Sequence, residues 1–149
     1  MRGYRLYKIL VTGATGFIGR HLVRKLRGAG HDVSIASSAY GDIAHDATWK
    51  SFPDVDLVLH LAGRTFVPDS WSDPAEFMNT NLQGTIRALN YCKDRNARLI
   101  FVSSYLYGVP ASLPIAEDAV LQANNPYAMS KRLAEEACQF FSDYFGIYV

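Results

Sequence analysis

The sequence predicts an α/β domain in three layers, with a doubly wound parallel sheet covered by helices on both faces. Four short, strongly apolar segments alternate with longer segments whose apolar residues recur at helical spacing. Strands that are apolar on both faces, rather than alternating with polar residues, are typical of parallel sheets. Ligands of such sheets bind beyond the carboxyl ends of the strands, so functional residues are expected there.

Length and composition define the class of protein. The chain has 149 residues, of which 49% are hydrophobic and 19% are charged. A single domain of this size buries roughly two-thirds of its unfolded surface and needs no disulfide or metal to fold. The formal net charge is +1 and the basic residues are scattered, so there is no electrostatic footprint for nucleic acid or for a membrane surface.

The location is predicted to be cytoplasmic. No apolar stretch approaches the ~18–20 residues of a membrane span, and charged residues interrupt the N-terminus where a signal peptide needs its apolar core. Cys92 and Cys138 lie far apart, have no CxxC partner and are expected to be reduced core thiols. The four histidines share no metal-ligand spacing, so no metal is predicted.

Strands and helices are predicted to alternate along the chain. The strands are expected over residues 7–12, 32–36, 57–61 and 98–103. Helices are expected over residues 17–27, after Asp73-Pro74, and from Asn125-Pro126 to Tyr144, where asparagine can cap the helix and proline fits its first turn. The helix between the second and third strands is expected to be shortened or lost. Residues 147–149 resemble the beginning of a further strand, without which the fourth strand leaves an exposed sheet edge.

Three glycines at three-residue spacing join the first strand to the first helix, in the sequence TGATGFIG. Such a tight turn uses glycine for its backbone dihedral angles, and a diphosphate can approach only where no Cβ intrudes. The helix N-terminus behind the turn offers free N–H groups and a partial positive charge. We therefore expect a cofactor diphosphate to bind at Gly13, Thr15, Gly16, Phe17, Ile18 and Gly19.

The spacing GxxGxxG after an apolar strand resembles the short-chain dehydrogenase/reductase superfamily. The form TGATGFIG resembles its extended branch, the NAD-dependent epimerase/dehydratase family of nucleotide-sugar enzymes. The resemblance implies a Rossmann-type sheet and an NAD(P) cofactor. It also implies that residues 1–149 are the NAD(P)-binding domain and that the sheet is truncated, because family members continue into a smaller C-terminal domain that holds the sugar nucleotide.

The end of the second strand bears on the choice of cofactor. An acid at this place commonly selects NAD, and an arginine nearby favours NADP. Ser37 and Ser38 occupy it and carry neither charge. Small hydroxyl residues tolerate a 2′-phosphate better than an aspartate does, which favours NADP but leaves NAD open. Asp42 and Ile43 then resemble the family's adenine-contacting segment.

Two further segments resemble parts of the family's cofactor site. Leu61, Ala62 and Gly63 follow the third strand, where small residues let a cofactor lie across the sheet. His60 beside them is expected to be a packed strand residue rather than a base. Asn81 belongs to a segment similar to the family's Asn-x-x-Gly-Thr helix, whose asparagine helps fix the cofactor site.

Tyr127 and Lys131 are four residues apart and lie on one face of the last predicted helix. A nearby ammonium group and a helix N-terminus both favour a phenolate, so that Tyr127 can exchange a proton with a sugar hydroxyl or ketone. The same pair resembles the catalytic tyrosine and lysine of the family. Lys131 is expected to stabilise the phenolate and to hold the ribose of the cofactor, and the resemblance places Tyr127 among the cofactor-binding residues as well.

A hydroxyl at the end of the fourth strand is expected to polarise the reacting oxygen. Ser103 and Ser104 both fit, and strand alternation lets only one of them face the site. Counting back from Gly108 selects Ser103, whereas counting forward along the strand selects Ser104. We favour Ser104, because a loop absorbs a deletion more easily than a packed strand does. Tyr105 and Leu106 stand where dehydratases of the family carry an Asp-Glu pair, which argues against dehydration.

The resemblance thus implies part of a nucleotide-sugar epimerase or keto-sugar reductase, in which hydride moves between the nicotinamide and a sugar carbon. Two alternatives stay open: a reductase of a non-sugar carbonyl compound, and a cofactor-binding module without turnover. The expected ligand besides the cofactor is a nucleotide sugar. A second copy of the chain, in a homodimer, is the one protein partner considered.

Overall fold

The computed structural model describes residues 5–110 and 112–149. Within them lie four strands: β1 Lys8–Thr12, β2 Asp32–Ala36, β3 Leu57–His60 and β4 Arg98–Phe101. The helices of this part of the chain are α1 Phe17–Gly28, α2 Asp46–Lys50, α3 Val67–Ser72, α4 Pro74–Phe77, α5 Gly84–Arg95 and α6 Pro126–Phe145. A 3₁₀ turn at Ser38–Tyr40 and a π-helical segment at Met78–Gln83 complete the regular structure described.

The strands form one sheet that is parallel throughout, as the sequence predicts, and their order is β2-β1-β3-β4. Thr12 is paired with Ala36 on β2 and with His60 on β3, and His60 is paired in turn with Phe101 on β4. This register brings the four carboxyl ends to one level at one edge of the sheet. The loops that leave the sheet at that edge are therefore the ones that can build a site together.

Both faces of β1 and β3 are covered, which explains the apolar composition of these strands. On one face Leu10, Val58 and Leu99 are fully buried in a cluster that includes side chains of α5 and α6. On the other face Ile9 and Val11 pack against α1. Because successive strand residues point to opposite faces, β1 needs apolar residues at consecutive positions to serve both layers.

The helix α6 begins and ends where the sequence indicates. Asn125 Oδ1 accepts a 2.8 Å hydrogen bond from Ala128 N, and Pro126 occupies the first turn. Gly146 ends the helix with a φ of +67°, a left-handed conformation that favours glycine. These two signals fix the start of α6, and with it Tyr127, relative to the sheet.

The helix between β2 and β3 is shortened, as expected. It is α2, which has 5 residues. Trp49 on this helix is buried, and its Nε1 donates a 2.7 Å hydrogen bond to Ile43 O. The shortened helix therefore still anchors the segment that carries Asp42 and Ile43.

The middle of the chain differs from the continuous helix that the sequence predicts. Residues 74–95 are helical throughout, but a π-helical segment separates α4 from α5. Hydrogen bonds of a π-helix span one residue more than those of an α-helix, which shifts the directions of the side chains. Asn81 lies in this segment and is only 2% exposed. The sequence does not predict α3, because its residues have weak helix propensity.

Two further expectations concern the cysteines and the last residues of the chain. Cys92 and Cys138 are buried free thiols, and burial raises the pKa of each to about 12. Residues 147–149 contain no assigned strand. Leu99 N nevertheless donates a 2.9 Å hydrogen bond to Tyr148 O, so the chain does begin to pair with β4 there.

Neighbouring residues of β4 should differ clearly in their contribution to stability. Leu99 is fully buried, whereas Ile100 is 51% exposed. We expect Leu99→Ala to lower the free energy of unfolding by about 2–5 kcal/mol, because it leaves a cavity in the core. Ile100→Ala, the matched control on the same strand, should cost about 1 kcal/mol or less. Urea denaturation followed by circular dichroism measures both, and equal losses would contradict this packing.

Candidate active site

A cavity of about 940 Å³ opens at the carboxyl ends of the strands. It is lined by the glycine turn after β1, by the segments after β2, β3 and β4, and by the start of α6. Every candidate residue taken from the sequence lines this cavity except Asn81. One hollow thus collects residues that are far apart in the chain, in the crevice where parallel α/β sheets bind ligands.

The glycine turn approaches neighbouring backbone more closely than a side chain would permit. Gly13 has a φ of +65°, and a Cβ at this residue would lie 2.8 Å from Ala62 N. A Cβ at Gly19 would overlap Gly13 O and would lie 2.8 Å from Ala14 Cα. Glycine is therefore required at both positions by the proximity of backbone atoms.

The first N–H groups of α1 point to the turn without a partner from their own helix. Gly16 precedes the helix and offers no side-chain cap, and the first turn of α1 contains no acidic residue. Phe17 and Ile18 are 76% and 57% exposed, and both line the cavity with Thr15. A helix N-terminus of this kind is suited to a diphosphate.

The end of β2 is tied to the glycine turn, because Ala14 N donates to Ala36 O at 3.3 Å. Ser37 and Ser38 follow immediately and line the cavity. Asp42 lines it as well, and its Oδ1 accepts a 2.9 Å hydrogen bond from the main-chain N–H two residues later. The carboxylate of Asp42 thus stabilises the turn that carries the adjoining Ile43.

His60 is a packed residue, as the sequence indicates. It is 1% exposed, and its Nδ1 lies 2.8 Å from Thr12 Oγ1. Thr12 Oγ1 also accepts a hydrogen bond from Ala62 N at 3.1 Å, so this hydroxyl joins His60 to the loop after β3. Burial, together with the nearby charge of Lys131, lowers the pKa of His60 to about 3. The imidazole is therefore neutral and positions the loop after β3.

Tyr127 and Ser104 are in direct contact. Tyr127 Oη donates a 2.8 Å hydrogen bond to Ser104 Oγ, and both residues line the cavity. Ser103 also lines the cavity, but its buried Oγ has no partner among residues 5–110 and 112–149. Of the two serines that the sequence leaves open, Ser104 is the one that the structure brings to the tyrosine.

Lys131 lies one helical turn after Tyr127 and also lines the cavity. Its Nζ donates a 2.6 Å hydrogen bond to Val102 O and lies 4.0 Å from the centroid of the Phe101 ring. The side chain is 8% exposed, and this burial lowers the pKa of the ammonium group to about 8. The carbonyl and the ring face partly compensate for the lost hydration.

Asn81 lies behind the cavity and connects its walls. Its Oδ1 accepts a hydrogen bond from Arg64 N at 2.8 Å, and its Nδ2 donates to Arg64 O at 3.1 Å and to Ser130 Oγ at 2.8 Å. Ser130 Oγ donates in turn to Tyr127 O at 2.7 Å. A single buried amide thus joins the loop after β3 to the first turns of α6.

Sequence reasoning missed several residues that line the cavity, chiefly Arg64, Glu76 and Thr80. One signal was available, since Arg64 directly follows the small residues at the carboxyl end of β3. Glu76 and Thr80 gave no comparable signal, because polar residues on a helix usually face solvent. Within the described residues no group of three or more potential ligands is placed to hold a metal ion, and none of the described helices is both long and apolar enough to span a bilayer.

Comparison with known proteins supplies a family model and several relatives. The model described as "NAD dependent epimerase/dehydratase family" matches residues 9–149. The chain is 36% identical over 139 residues to GDP-6-deoxy-D-mannose reductase of Pseudomonas aeruginosa, a match that covers 88% of this chain and 46% of that protein. The chain spans about half the length of the curated relatives it matches.

Solved structures show the same architecture. RMD from Pseudomonas aeruginosa complexed with NADPH superposes with a TM-score of 0.81 at 33% identity, over 93% of this chain and 51% of that chain. UDP-glucose 4-epimerase from Brucella ovis in complex with NAD superposes with a TM-score of 0.86 at 31% identity, over 93% of this chain and 49% of that chain. The parallel sheet described above is thus the Rossmann-type sheet of these enzymes.

The buried ammonium group of Lys131 should make stability rise with pH. Burial lowers its pKa from 10.5 to about 8. Between these values the unfolded chain binds more protons at this residue than the folded chain does, so the free energy of unfolding increases with pH. Below pH 8 both states bind the proton, and this contribution is constant. We expect the wild type to gain stability relative to Lys131→Met between pH 8 and 10.5, measured by urea unfolding at each pH.

The matched control is Lys25→Met, at an exposed lysine of α1. The difference in stability between the wild type and this variant should show no comparable rise over the same interval. A difference between the wild type and Lys131→Met that does not change with pH would contradict the burial of a charged Lys131.

Proposed function

This chain belongs to the NAD dependent epimerase/dehydratase family, and from that premise we propose that its cavity binds a nicotinamide dinucleotide and serves hydride transfer at a carbon of a nucleotide sugar. The observation that carries the proposal is the single cavity that joins the glycine turn to the Tyr127–Ser104 pair. The structures of two relatives contain NADPH and NAD. The whole protein is then a nucleotide-sugar epimerase or a keto-sugar reductase, and residues 1–149 are its cofactor-binding domain.

The shape of the cavity fits such a cofactor. The glycine turn and the free N–H groups of α1 would hold the diphosphate, at a place where a Cβ on Gly13 or Gly19 would collide with backbone. Asp42 and Ile43 line the cavity where the adenosine half would lie. The small residues after β3 leave room for the nicotinamide half, which supplies or accepts the hydride when it is bound.

Tyr127 moves the proton that accompanies the hydride. Its hydroxyl lines the cavity and is oriented by Ser104 Oγ at 2.8 Å. In reduction Tyr127 Oη gives its proton to the carbonyl oxygen of the substrate, and in oxidation it takes the proton of the hydroxyl. Ser104 Oγ–H donates a hydrogen bond to the same substrate oxygen without transferring its proton. This hydrogen bond stabilises the negative charge that develops on the oxygen.

Lys131 stabilises the phenolate that remains when Tyr127 has given up its proton. Burial lowers the pKa of Lys131 to about 8, so the group still carries its charge at neutral pH in most molecules. Its Nζ uses one donor on Val102 O. The remaining donors of the ammonium group are available to the ribose hydroxyls of the cofactor.

The residues after β2 favour NADP as the cofactor. Ser37 and Ser38 line the cavity where an acid would repel a 2′-phosphate. Their hydroxyl groups can donate hydrogen bonds to that phosphate. The arginine that NADP enzymes often place nearby is missing from these two positions, so the expected preference is modest.

A cofactor-binding module without turnover is the second candidate. The glycine turn and the segment after β2 line the cavity apart from Tyr127 and Ser104, so these residues can bind a dinucleotide without a reaction following. Dehydration stays disfavoured, because Tyr105 and Leu106 supply no acid beside Ser104. A second copy of the chain in a homodimer remains our expectation for the protein partner.

The proposed preference for NADP predicts how a negative charge at Ser38 changes the affinity for each nucleotide. Ser38→Asp places a carboxylate against the 2′-phosphate, so we expect NADPH affinity to fall about tenfold or more, which corresponds to about 1.4 kcal/mol. NADH affinity should stay the same or increase. Fluorescence titration with NADPH and NADH measures both affinities.

Ser72→Asp is the matched control, because Ser72 is an exposed serine of α3 outside the cavity. It should leave both affinities unchanged. Tighter binding of NADH than of NADPH by the wild type would contradict the NADP preference. No saturable binding of either nucleotide by the folded chain would contradict the cofactor proposal itself.

The proton-transfer roles predict a graded loss of turnover. We expect Tyr127→Phe to lower kcat by about 100-fold or more, because the proton donor is lost. Ser104→Ala should lower kcat about 10- to 100-fold, because one hydrogen bond to the reacting oxygen is lost. Ser103→Ala should change kcat less than about threefold. NADPH oxidation with a panel of nucleotide keto-sugars measures turnover.

Unchanged NADPH affinity in all three variants serves as the control for folding. An equal or larger effect of Ser103→Ala would assign the polarising role to Ser103 instead of Ser104. A wild-type chain that binds NADPH and turns over none of the sugars would favour the cofactor-binding module.

A further inference from the structure

The loop after β3, α4 and the π-helical segment place in the cavity a polar cluster that the proton-transfer chemistry does not use. Arg64, Glu76 and Thr80 all line the cavity. Arg64 Nη2 donates to Glu76 Oε1 at 3.2 Å, and Thr80 Oγ1 donates to the same oxygen at 3.1 Å. We propose that this Arg64–Glu76–Thr80 cluster is a specificity-determining subsite that binds neighbouring hydroxyl groups of the substrate's sugar ring. The inference rests on the proposed function, since it names the part of the substrate that the same cavity recognises.

The elements that carry Glu76 and Thr80 pack against α6, the helix that carries Tyr127. Phe77 directly follows Glu76 and packs its ring edge-on against the ring of Tyr127, with centroids 6.4 Å apart. Asn81 Nδ2 donates to Ser130 Oγ at 2.8 Å, one turn along α6 from the tyrosine. Tyr127 and the cluster line the same cavity, so a sugar whose reacting carbon faces Tyr127 can reach the cluster with its other hydroxyl groups.

The backbone of Arg64 is held in place before any ligand binds. Both its N–H and its C=O are hydrogen-bonded to the side-chain amide of Asn81, at 2.8 Å and 3.1 Å. Asn81 itself is 2% exposed, and a Cβ at Gly63 would lie 2.8 Å from its Oδ1. The Arg64 side chain, which is 49% exposed, thus extends into the cavity from a fixed base. Such preorganisation lowers the entropy cost of binding.

The carboxylate of Glu76 does not make the capping hydrogen bond that is common at its position in a helix. A glutamate three residues after a helix cap commonly bonds back to the N–H of the cap residue. Asp73 caps α4 and accepts a hydrogen bond from Glu76 N at 3.1 Å, but the N–H of Asp73 donates to Asp69 O at 3.0 Å. The Glu76 side chain is therefore not needed at the cap and is turned towards Arg64.

The charges of the cluster favour a neutral ligand over an anion. One guanidinium and one carboxylate cancel, and an anion that approaches Arg64 also approaches Glu76. A guanidinium has five N–H donors and a carboxylate about four acceptor positions, so the pair keeps donors on Arg64 and acceptors on Glu76. Each hydroxyl of a vicinal diol both donates and accepts. A sugar ring with adjacent hydroxyl groups therefore matches the cluster better than a carboxylate or a phosphate does.

The test uses the ¹⁵N-labelled chain loaded with NADP⁺ and follows the backbone N–H signal of Thr80 by NMR. Methyl α-mannopyranoside and methyl α-glucopyranoside are the diol probes, and sodium acetate and methyl phosphate are the anion probes. We expect saturable shifts with the glycosides and none with the anions at equal concentrations. Arg64→Met should weaken glycoside binding at least tenfold, because the donors of the guanidinium are lost.

Glu76→Gln separates the two kinds of ligand. It should weaken glycoside binding about fivefold or more and should create a response to acetate, because the cluster then carries a net positive charge. Arg24→Met, at an exposed arginine of α1, is the matched control and should leave every titration unchanged. Exposed ion pairs contribute little to stability, so neither cluster variant should impair folding.

Three results would overturn the subsite: a wild-type response to the anions as strong as the response to the glycosides, glycoside binding that survives both cluster variants, or no glycoside response by a chain that binds NADPH normally. The NADPH titration of the same samples separates this inference from the proposed function. Loss of the glycoside response alone contradicts the subsite, whereas absence of NADPH binding in the wild type contradicts the proposed function.

Discussion

The close approach of Gly13 to the loop after β3 is the constraint on which the site depends. A Cβ on Gly13 would lie 2.8 Å from Ala62 N and 2.9 Å from Leu61 C, so any other residue would separate the two loops. The same approach lets Thr12 Oγ1 accept the hydrogen bond from Ala62 N that holds the second loop in place. The floor of the cavity is thus made of backbone, which leaves room for a flat, extended ligand between α1 and α6.

The opposite wall of the cavity is held by a single side chain, the amide of Asn81. Its three hydrogen bonds join the main chain of Arg64 to Ser130 on α6. The π-helical segment makes this possible, because it turns Asn81 into the interior. The loop after β3 is therefore fixed from two sides, by the glycine turn and by α6, and the positions of Arg64 and Tyr127 relative to each other follow from it.

The sequence predicts the features of the fold and site that depend on local pattern. Apolar runs predict the parallel sheet, glycine spacing predicts the turn, and Asn125 and Gly146 predict the ends of α6. Features that depend on a single residue of register escape it. Strand phase favours Ser104 over Ser103 without deciding between them, and the pairing of Arg64 with Glu76 joins residues 12 apart on different elements.

Groups that stabilise the folded state and groups that lower its stability lie in different parts of the domain. The apolar clusters on the two faces of the sheet hold the domain together. At the carboxyl edge, by contrast, an ammonium group is buried at Lys131, the Oγ of Ser103 has no partner among the described residues, and Gly13 adopts a left-handed conformation. Each of these features lowers stability by itself, since burial of charge, unpaired polar atoms and positive φ all cost free energy. Their concentration at the one edge where a parallel sheet can bind a ligand is explained by function rather than by folding.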